Sequence, residues 1–149
     1  MDANLYASAI RMLAGREHSG FELKTKLKRK GHSDDEIKEV IQQLIEDKYL
    51  NEERFTEVFI NSKIRRGIGP IKIQMELQQR KVDESLIDAY LDFNQAEWVN
   101  RANDVRCKKF GNALPLDLSD QAKQMRFLQQ RGFTQQQIMK VIKNNVFDD

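Results

Sequence analysis

The side chains best suited to catalysis lie far apart in this sequence. His18 and His32 are the only histidines, and they fall near opposite ends of one predicted helix. Cys107, the single cysteine, lies between Arg106 and Lys108, whose charges favour a thiolate, but no histidine is near it in the sequence. Nucleophilic and general acid-base catalysis need convergent groups with an orienting partner. The sequence therefore predicts a protein that is not an enzyme.

Neither a metal site nor a phosphate-binding loop is indicated. Metal sites need more cysteines and histidines at ligand spacing than this chain contains. Residues 67–70 (Gly-Ile-Gly-Pro) lack the lysine that follows a phosphate-binding loop and the strand that precedes it. We interpret them as a helix break followed by proline at the first helical position, with an anion-binding helix start as the alternative. No cofactor is predicted.

Clusters of basic side chains are the main candidates for binding. The 25 basic and 23 acidic residues give a net charge of only +2, but the basic residues gather in the last turns of predicted helices. The helix macrodipole alone favours that placement, by about 0.3 to 1 kcal/mol per charge. The five cations between residues 24 and 30 exceed any capping need, which also predicts a surface for backbone phosphates or an acidic protein groove. The predicted binding residues are Lys24, Lys28, Arg29, Lys63, Arg65, Arg66, Lys72, Lys108 and Lys109.

The elements that carry these residues are predicted to be helices in a repeat. One helix-turn-helix pattern recurs three times at a spacing of about fifty residues, without a gap inside any copy. Each copy places a Ser, Asp or Thr at the N-cap position before an apolar i, i+3, i+4 run. The matching sets are Leu27, Gly31, Ser33, Ile37, Val40 and Ile41; Leu77, Lys81, Asp83, Ile87, Tyr90 and Leu91; and Leu128, Gly132, Thr134, Ile138, Val141 and Ile142.

These copies predict an all-α chain of nine helices in three tandem three-helix repeats, at residues 1–50, 51–93 and 94–149. Capping boxes are expected at Ser19 with Glu22 and at Ser33 with Glu36. Asp120 is expected to cap the eighth helix, since it precedes Leu128 by eight residues. Core or inter-repeat packing is expected for the aromatic residues Phe55, Phe59, Trp98, Phe110, Phe127 and Phe133.

A helix-turn-helix could also indicate a protein that reads DNA sequence, and the charges test that hypothesis. The second helix of such a motif enters the major groove between phosphates. The candidate helix at residues 34–47 contains six acids and one lysine, and that at 83–92 contains four acids and no base. Only residues 135–145, with glutamines that could read bases, are compatible. We therefore expect DNA binding that is weak and independent of sequence.

Several motifs of this chain resemble those of a known family. The most specific is residues 62–70 (Ser-Lys-Ile-Arg-Arg-Gly-Ile-Gly-Pro), and a second is residues 49–55 (Tyr-Leu-Asn-Glu-Glu-Arg-Phe), at the junction between the first two repeats. Both resemble motifs of the RecX family of regulatory proteins. Lys48 and Ile68 depart from the pattern, because the family commonly has glycine at the first position and often an aromatic residue at the second. The other matching segments are Arg16-Glu17-His18-Ser19 with Glu22-Leu23 and Lys26-Leu27, Lys108-Lys109-Phe110-Gly111, Arg126-Phe127-Leu128 and Arg131-Gly132-Phe133.

The resemblance implies a modulator, usually an inhibitor, of the RecA recombinase. Such a protein would lie in the groove of the RecA nucleoprotein filament, contact successive protomers and affect recombinase, ATPase and coprotease activities in DNA repair and recombination. It also implies that the repeats form a curved, elongated array. Two alternatives stay open: a stand-alone nucleic-acid-binding helical module, and a protein adaptor without a DNA role. The chain is expected to be cytoplasmic, because no apolar run approaches the roughly 20 residues that span a bilayer. It is also expected to be a monomer.

Overall fold

The computed structural model describes residues 1–143, and in this part of the chain every regular element is an α-helix. The all-α prediction is therefore confirmed, as are the helix break after α4 and the first helical position of Pro70. The helices are α1 (Ala3–Gly15), α2 (Gly20–Arg29), α3 (Asp34–Glu46), α4 (Glu52–Arg65), α5 (Pro70–Gln79), α6 (Glu84–Tyr90), α7 (Glu97–Phe110), α8 (Leu118–Gln130) and α9 (Gln135–Ile142). The predictions for residues 144–149, including the end of the third candidate reading helix, lie outside the described residues.

The turn after the middle helix of each repeat has the same hydrogen bonds in all three copies. Gly31, Lys81 and Gly132 follow α2, α5 and α8 with left-handed φ values of 92°, 58° and 98°. The next residue donates its backbone N–H to the leucine carbonyl five positions earlier, as in a Schellman motif. The bonds join His32 to Leu27, Val82 to Leu77 and Phe133 to Leu128, at 3.4, 3.2 and 3.2 Å. The backbone thus repeats in the register that the sequence predicted.

Two lysines occupy backbone positions that favour glycine. Lys81 does so in the second repeat, and Lys48 has a φ of 66° in the turn after α3. Left-handed backbone costs about 1 to 2 kcal/mol for a residue with a Cβ. Lys48 therefore differs from the glycine that is common in the RecX pattern, but its backbone keeps the left-handed conformation that a glycine would adopt.

The helix starts follow the capping predictions with one correction. The boxes of Ser19 with Glu22 and Ser33 with Glu36 are both present, and Thr134 forms a third with Gln137. The prediction for α8 was wrong, because Asp117 is the N-cap and accepts the Asp120 N–H at 2.8 Å. Either aspartate can accept such a bond, and the helix begins at the earlier one.

The chain divides into two compact units whose boundaries cut through α4 and α5. Unit 1 comprises Met1–Phe59 and Leu77–Tyr90, and unit 2 comprises Ile60–Glu76 and the chain from Leu91 onward. One buried cluster of unit 1 is built by α1, α2 and α3 together with Leu50. Its fully or nearly fully buried members are Leu5, Ala9, Leu23, Leu27, Ile37, Val40, Leu44 and Leu50.

Unit 2 is built around α7, α8 and α9. Trp98 and Phe133 are buried with their rings edge to face, 6.5 Å apart, and the Trp98 indole N–H donates to the Asp92 carbonyl at 2.8 Å. Packing is thus confirmed for these two aromatic residues, as it is for the buried Phe55 of unit 1. Phe59, Phe110 and Phe127 are half-buried. No helix within residues 1–143 is long and apolar enough to cross a bilayer.

Candidate anion-binding site

The site in unit 2 forms where the turn before α5 pairs with the turn before α9. The Gly69 N–H donates to the Arg131 carbonyl at 2.7 Å, and the Ile71 N–H donates to the Gly132 carbonyl at 2.9 Å. A Cβ on Gly69 would lie 2.4 Å from the Gly132 carbonyl carbon, so only glycine allows this approach. The end of α4 is thereby held beside α7 and α8.

A cavity of about 550 Å³ lies at this junction and is lined mainly by cations. Within residues 1–143, Asp104 is its only acidic lining residue. Among the residues that the structure describes, no carboxylate oxygen lies within 4.0 Å of a side-chain nitrogen of these cations. Their charges are therefore free to bind an anion. The six basic residues are Arg65, Arg66, Arg101, Lys108, Lys109 and Arg131.

Part of the cavity lining is apolar, and its residues Ile68, Val105 and Phe127 are here called the apolar floor. The Phe127 ring meets Phe110 edge to face at 5.3 Å. Gly67 has a left-handed φ of 77°, and a Cβ there would lie 3.0 Å from a methyl of Val105. The backbone of the α4–α5 turn thus rests directly on α7.

Two of the cations are held in place by contacts inside unit 2. The Arg131 guanidinium donates to the Arg66 carbonyl at 3.2 Å and lies 5.2 Å from the centre of the Phe127 ring. The Lys109 ammonium lies 5.8 Å from the centre of the same ring. Cations within about 6 Å of an aromatic face are attracted by its quadrupole. Phe127 therefore helps to hold two of the lining cations in place.

Four of the nine predicted binding residues meet in this cavity, namely Arg65, Arg66, Lys108 and Lys109. Two others belong to unit 2 but do not line it. Lys63 is mostly buried and pairs with Glu76 at 3.3 Å. The exposed Lys72 packs its Cβ against the Gly132 backbone.

The remaining three predicted residues belong to unit 1. Lys24 and Lys28 line a second cavity of about 400 Å³. Lys28 also pairs with Asp34 at 3.3 Å, and both side chains are largely exposed. Arg29 is exposed at the end of α2. Exposed pairs of this kind contribute little to stability and can exchange for another anion.

Arg101 and Arg131 were missed by sequence reasoning, although both had a detectable signal. Arg101 precedes Lys108 by seven residues on α7, which is two helical turns and hence the same face. Arg131 occupies the position before the left-handed turn residue that Lys30 and Arg80 occupy in the other copies.

Arg106 lies in the same basic cluster of the sequence but has a structural role. It is only 2% exposed and donates to the Ala113 carbonyl at 3.2 Å and to the Gln124 side chain at 3.4 Å. These bonds fix the loop between α7 and α8. A buried guanidinium with this set of partners is not available to a ligand.

One of the three glutamines at the start of α9 already has hydrogen-bond partners within the protein. Gln137 completes the capping box of α9 and donates from its side chain to the Phe93 carbonyl at 2.9 Å. Gln135 and Gln136 remain exposed. The third candidate reading helix thus has fewer free amides than its sequence suggested.

Family models for the three RecX three-helix domains match residues 6–44, 51–91 and 95–142, which together span most of the chain. The chain belongs to the RecX family. The cavity therefore combines residues of the second RecX domain, such as Arg65, with residues of the third, such as Lys108.

Individual RecX proteins agree with this assignment. Regulatory protein RecX of Halorhodospira halophila (strain DSM 244 / SL1) is 42% identical over 131 residues, covering 88% of this chain and 81% of the relative. Regulatory protein RecX of Legionella pneumophila (strain Corby) is 38% identical over 138 residues, covering 93% and 92%. The crystal structure of RecX from Lactobacillus salivarius shares the fold, with a TM-score of 0.81, 19% identity and coverage of 97% and 96%.

Proposed function

We propose that this RecX-family chain binds the RecA nucleoprotein filament and inhibits its recombinase, ATPase and coprotease activities in DNA repair and recombination. Membership of a family whose relatives are named as regulatory proteins supports a regulatory role. The observation that carries the proposal is the cavity of unit 2, which six cations line together with the apolar floor and, among the described residues, one acid. That arrangement suits an acidic protein surface or exposed backbone phosphate.

The proposed mechanism is steric and electrostatic. A body bound to neighbouring RecA subunits would oppose the rearrangements that filament growth, nucleotide turnover and strand exchange require. Arg65, Arg66, Lys108 and Lys109 are the leading contacts, since they share one cavity and lack a carboxylate partner in the described part of the chain. Lys63 ranks below them, because binding through it would break its contact with Glu76.

DNA alone is proposed to be a weak partner. The cations offer contacts to phosphate, whereas α3 begins with three acids and the buried Gln137 side chain already has a backbone partner. We expect binding that is insensitive to sequence and falls steeply with salt in a fluorescence anisotropy titration. Tight binding to one duplex that scrambled DNA does not match would contradict this expectation.

The DNA-dependent ATPase of purified RecA tests the proposed function directly. We expect inhibition at substoichiometric ratios of this chain to RecA, because a filament bridge acts on more than one subunit. A stand-alone nucleic-acid-binding module would inhibit only at concentrations that coat the DNA. A protein adaptor would leave the rate unchanged. We further propose that the chain acts in the cytoplasm as a monomer.

A further inference from the structure

We propose that the unit 2 cavity is a binding site for a free nucleoside diphosphate or triphosphate. The phosphates would be bound by Arg65, Arg66, Lys108 and Lys109, and the base would lie against the apolar floor at Ile68. This assigns a small-molecule ligand to a protein whose proposed function is regulation through protein and DNA contacts.

The concentration of charge favours a compact polyphosphate over a strand. A strand presents a single charge per phosphate along its length, whereas a nucleotide polyphosphate places several charges at one point. Six cations and one carboxylate around about 550 Å³ match the second distribution. The carboxylate, that of Asp104, is outnumbered, and arginines such as Arg65 and Arg66 are suited to bidentate contact with phosphate.

The size and the floor of the cavity favour a ligand with an apolar part. Small-molecule sites occupy about 300 to 1,000 Å³ and are mainly apolar with a few convergent polar groups. Here Ile68, Val105 and Phe127 supply the apolar surface. Because Ile68 is aliphatic, it contacts a base without stacking on it. We therefore expect little discrimination between adenine and guanine nucleotides.

The site is also organised before a ligand binds. Arg131 fixes the end of α4 through the Arg66 carbonyl, and Phe127 holds the charges of Arg131 and Lys109 at 5.2 and 5.8 Å. A charge that is already positioned loses less conformational entropy on binding.

One regulatory consequence rests on the proposed function. If Arg65 and Arg66 also contact the filament, then a bound nucleotide competes with that contact, and the free nucleotide concentration adjusts the strength of the regulator. The binding site itself does not depend on this step.

The test is isothermal titration calorimetry of the full chain alone with ATP, ADP, AMP and inorganic pyrophosphate. We expect saturable one-to-one binding of ATP and ADP, and at least about tenfold weaker binding of AMP.

The double variant Arg65→Ala, Lys108→Ala should weaken ATP binding at least about tenfold. Both replaced side chains are exposed, so circular dichroism should show an intact fold. The variant Lys38→Ala, Lys48→Ala, whose sites lie in unit 1, is the matched control and should bind like the parent.

A second variant tests the apolar floor separately. Ile68→Ala should weaken ATP binding and leave pyrophosphate binding unchanged, because only the nucleotide contacts this side chain. Three results would overturn the proposal: no saturable ATP binding at millimolar concentration, pyrophosphate binding as tight as ATP, or an oligothymidine that binds the cavity and is not displaced by ATP. The assay contains no RecA, so a negative result leaves the filament proposal standing, and failure of the ATPase test leaves this site standing.

Discussion

At the scale of single residues, Phe55 shows how one ring supports unit 1. Its side chain is 2% exposed and lies 5.5 Å from the Phe59 ring in a tilted arrangement. Phe55→Ala would leave a cavity at the start of α4 where the surroundings relax only partly. We expect the free energy of unfolding to fall by about 3 to 5 kcal/mol, measured by urea denaturation.

Val58→Ala is the control for that change. Val58 lies on the same helix but is 48% exposed, so its replacement should change stability by no more than about 0.5 kcal/mol. If Phe55→Ala unfolds at the same urea concentration as Val58→Ala, the ring contributes no core packing.

His18 is a residue whose hydrogen bonds make stability depend on pH. Its ring is buried, with Nδ1 2.9 Å from the Arg16 carbonyl and Nε2 2.8 Å from the Lys26 ammonium. Since an ammonium only donates, Nε2 accepts and the ring is neutral. Burial lowers the pKa of His18 from 6.5, and the positive charges of Arg16 and Lys26 lower it further. The bond to the Arg16 carbonyl and the negative charge of Glu22 raise the pKa, but the net shift is downward.

The sign of the pH effect follows from that lowered pKa. The unfolded chain binds the proton more readily, so the stability is fully present above the ordinary histidine pKa and is lost as the pH falls below it. We expect the urea midpoint to decrease from about pH 7.5 to about pH 5.5. His18→Gln should remove most of this decrease. His32→Gln, at a less buried position after α2, should retain it, and equal behaviour of the two variants would refute the assignment.

At the scale of elements, local signals were the ones the sequence could predict. Capping boxes and Schellman turns depend on residues within about six positions of each other, so their spacing is visible in the chain. The start of α8 could not be predicted from the sequence, because Asp117 and Asp120 both satisfy the local capping pattern. The loop that precedes α8 is bonded by Arg106 of α7 at the Ala113 carbonyl, and no spacing within α8 encodes that contact.

The cavity of unit 2 was predictable only in part, because the sequence reveals local clusters of charge but not contacts between distant segments. Clustering of Arg65 with Arg66 and of Lys108 with Lys109 is local, and those pairs were found. Their meeting in one cavity depends on bonds between turns more than sixty residues apart, such as that from Gly69 to Arg131. No spacing within one helix encodes such a contact.

The repeated left-handed turns give a prediction that separates local strain from packing. Gly31→Ala adds a Cβ that meets nothing within 4 Å, so only its φ of 92° opposes the change, at about 1 to 2 kcal/mol. Gly132→Ala has similar backbone strain and in addition places a Cβ 2.5 Å from that of Lys72. We expect the Gly132 variant to lose clearly more stability in urea denaturation. Equal losses would show that the α5 turn moves aside freely.

At the scale of the whole molecule, sequence repeats and compact units do not coincide. The periodicity divides the chain into three copies, whereas the second copy contributes Ile60–Glu76 to unit 2 and Leu77–Tyr90 to unit 1. A repeat that cannot bury its apolar face alone shares a core with its neighbours. Periodicity reveals equivalent positions but not which neighbour each helix packs against, so the sequence placed Arg65 and Lys108 in one binding set without showing that they line one cavity.

The proposed binding of the RecA filament predicts a role for one pair of side chains, Arg65 and Arg66, in contact with an assembly of many subunits. Arg65 ends α4 and Arg66 follows it directly, and as partners of the helix dipole alone their joint replacement should cost on the order of 1 kcal/mol of stability. A charge-assisted bond to phosphate or carboxylate contributes about 1.5 to 3 kcal/mol. The double variant Arg65→Ala, Arg66→Ala should therefore stay folded by circular dichroism but need at least about tenfold more protein for half-inhibition of the RecA ATPase. Lys38→Ala, Lys48→Ala, which removes the same charge from unit 1, should inhibit like the parent. Equal potency of the two double variants would remove the arginine pair from the binding surface and leave it with the dipole role alone.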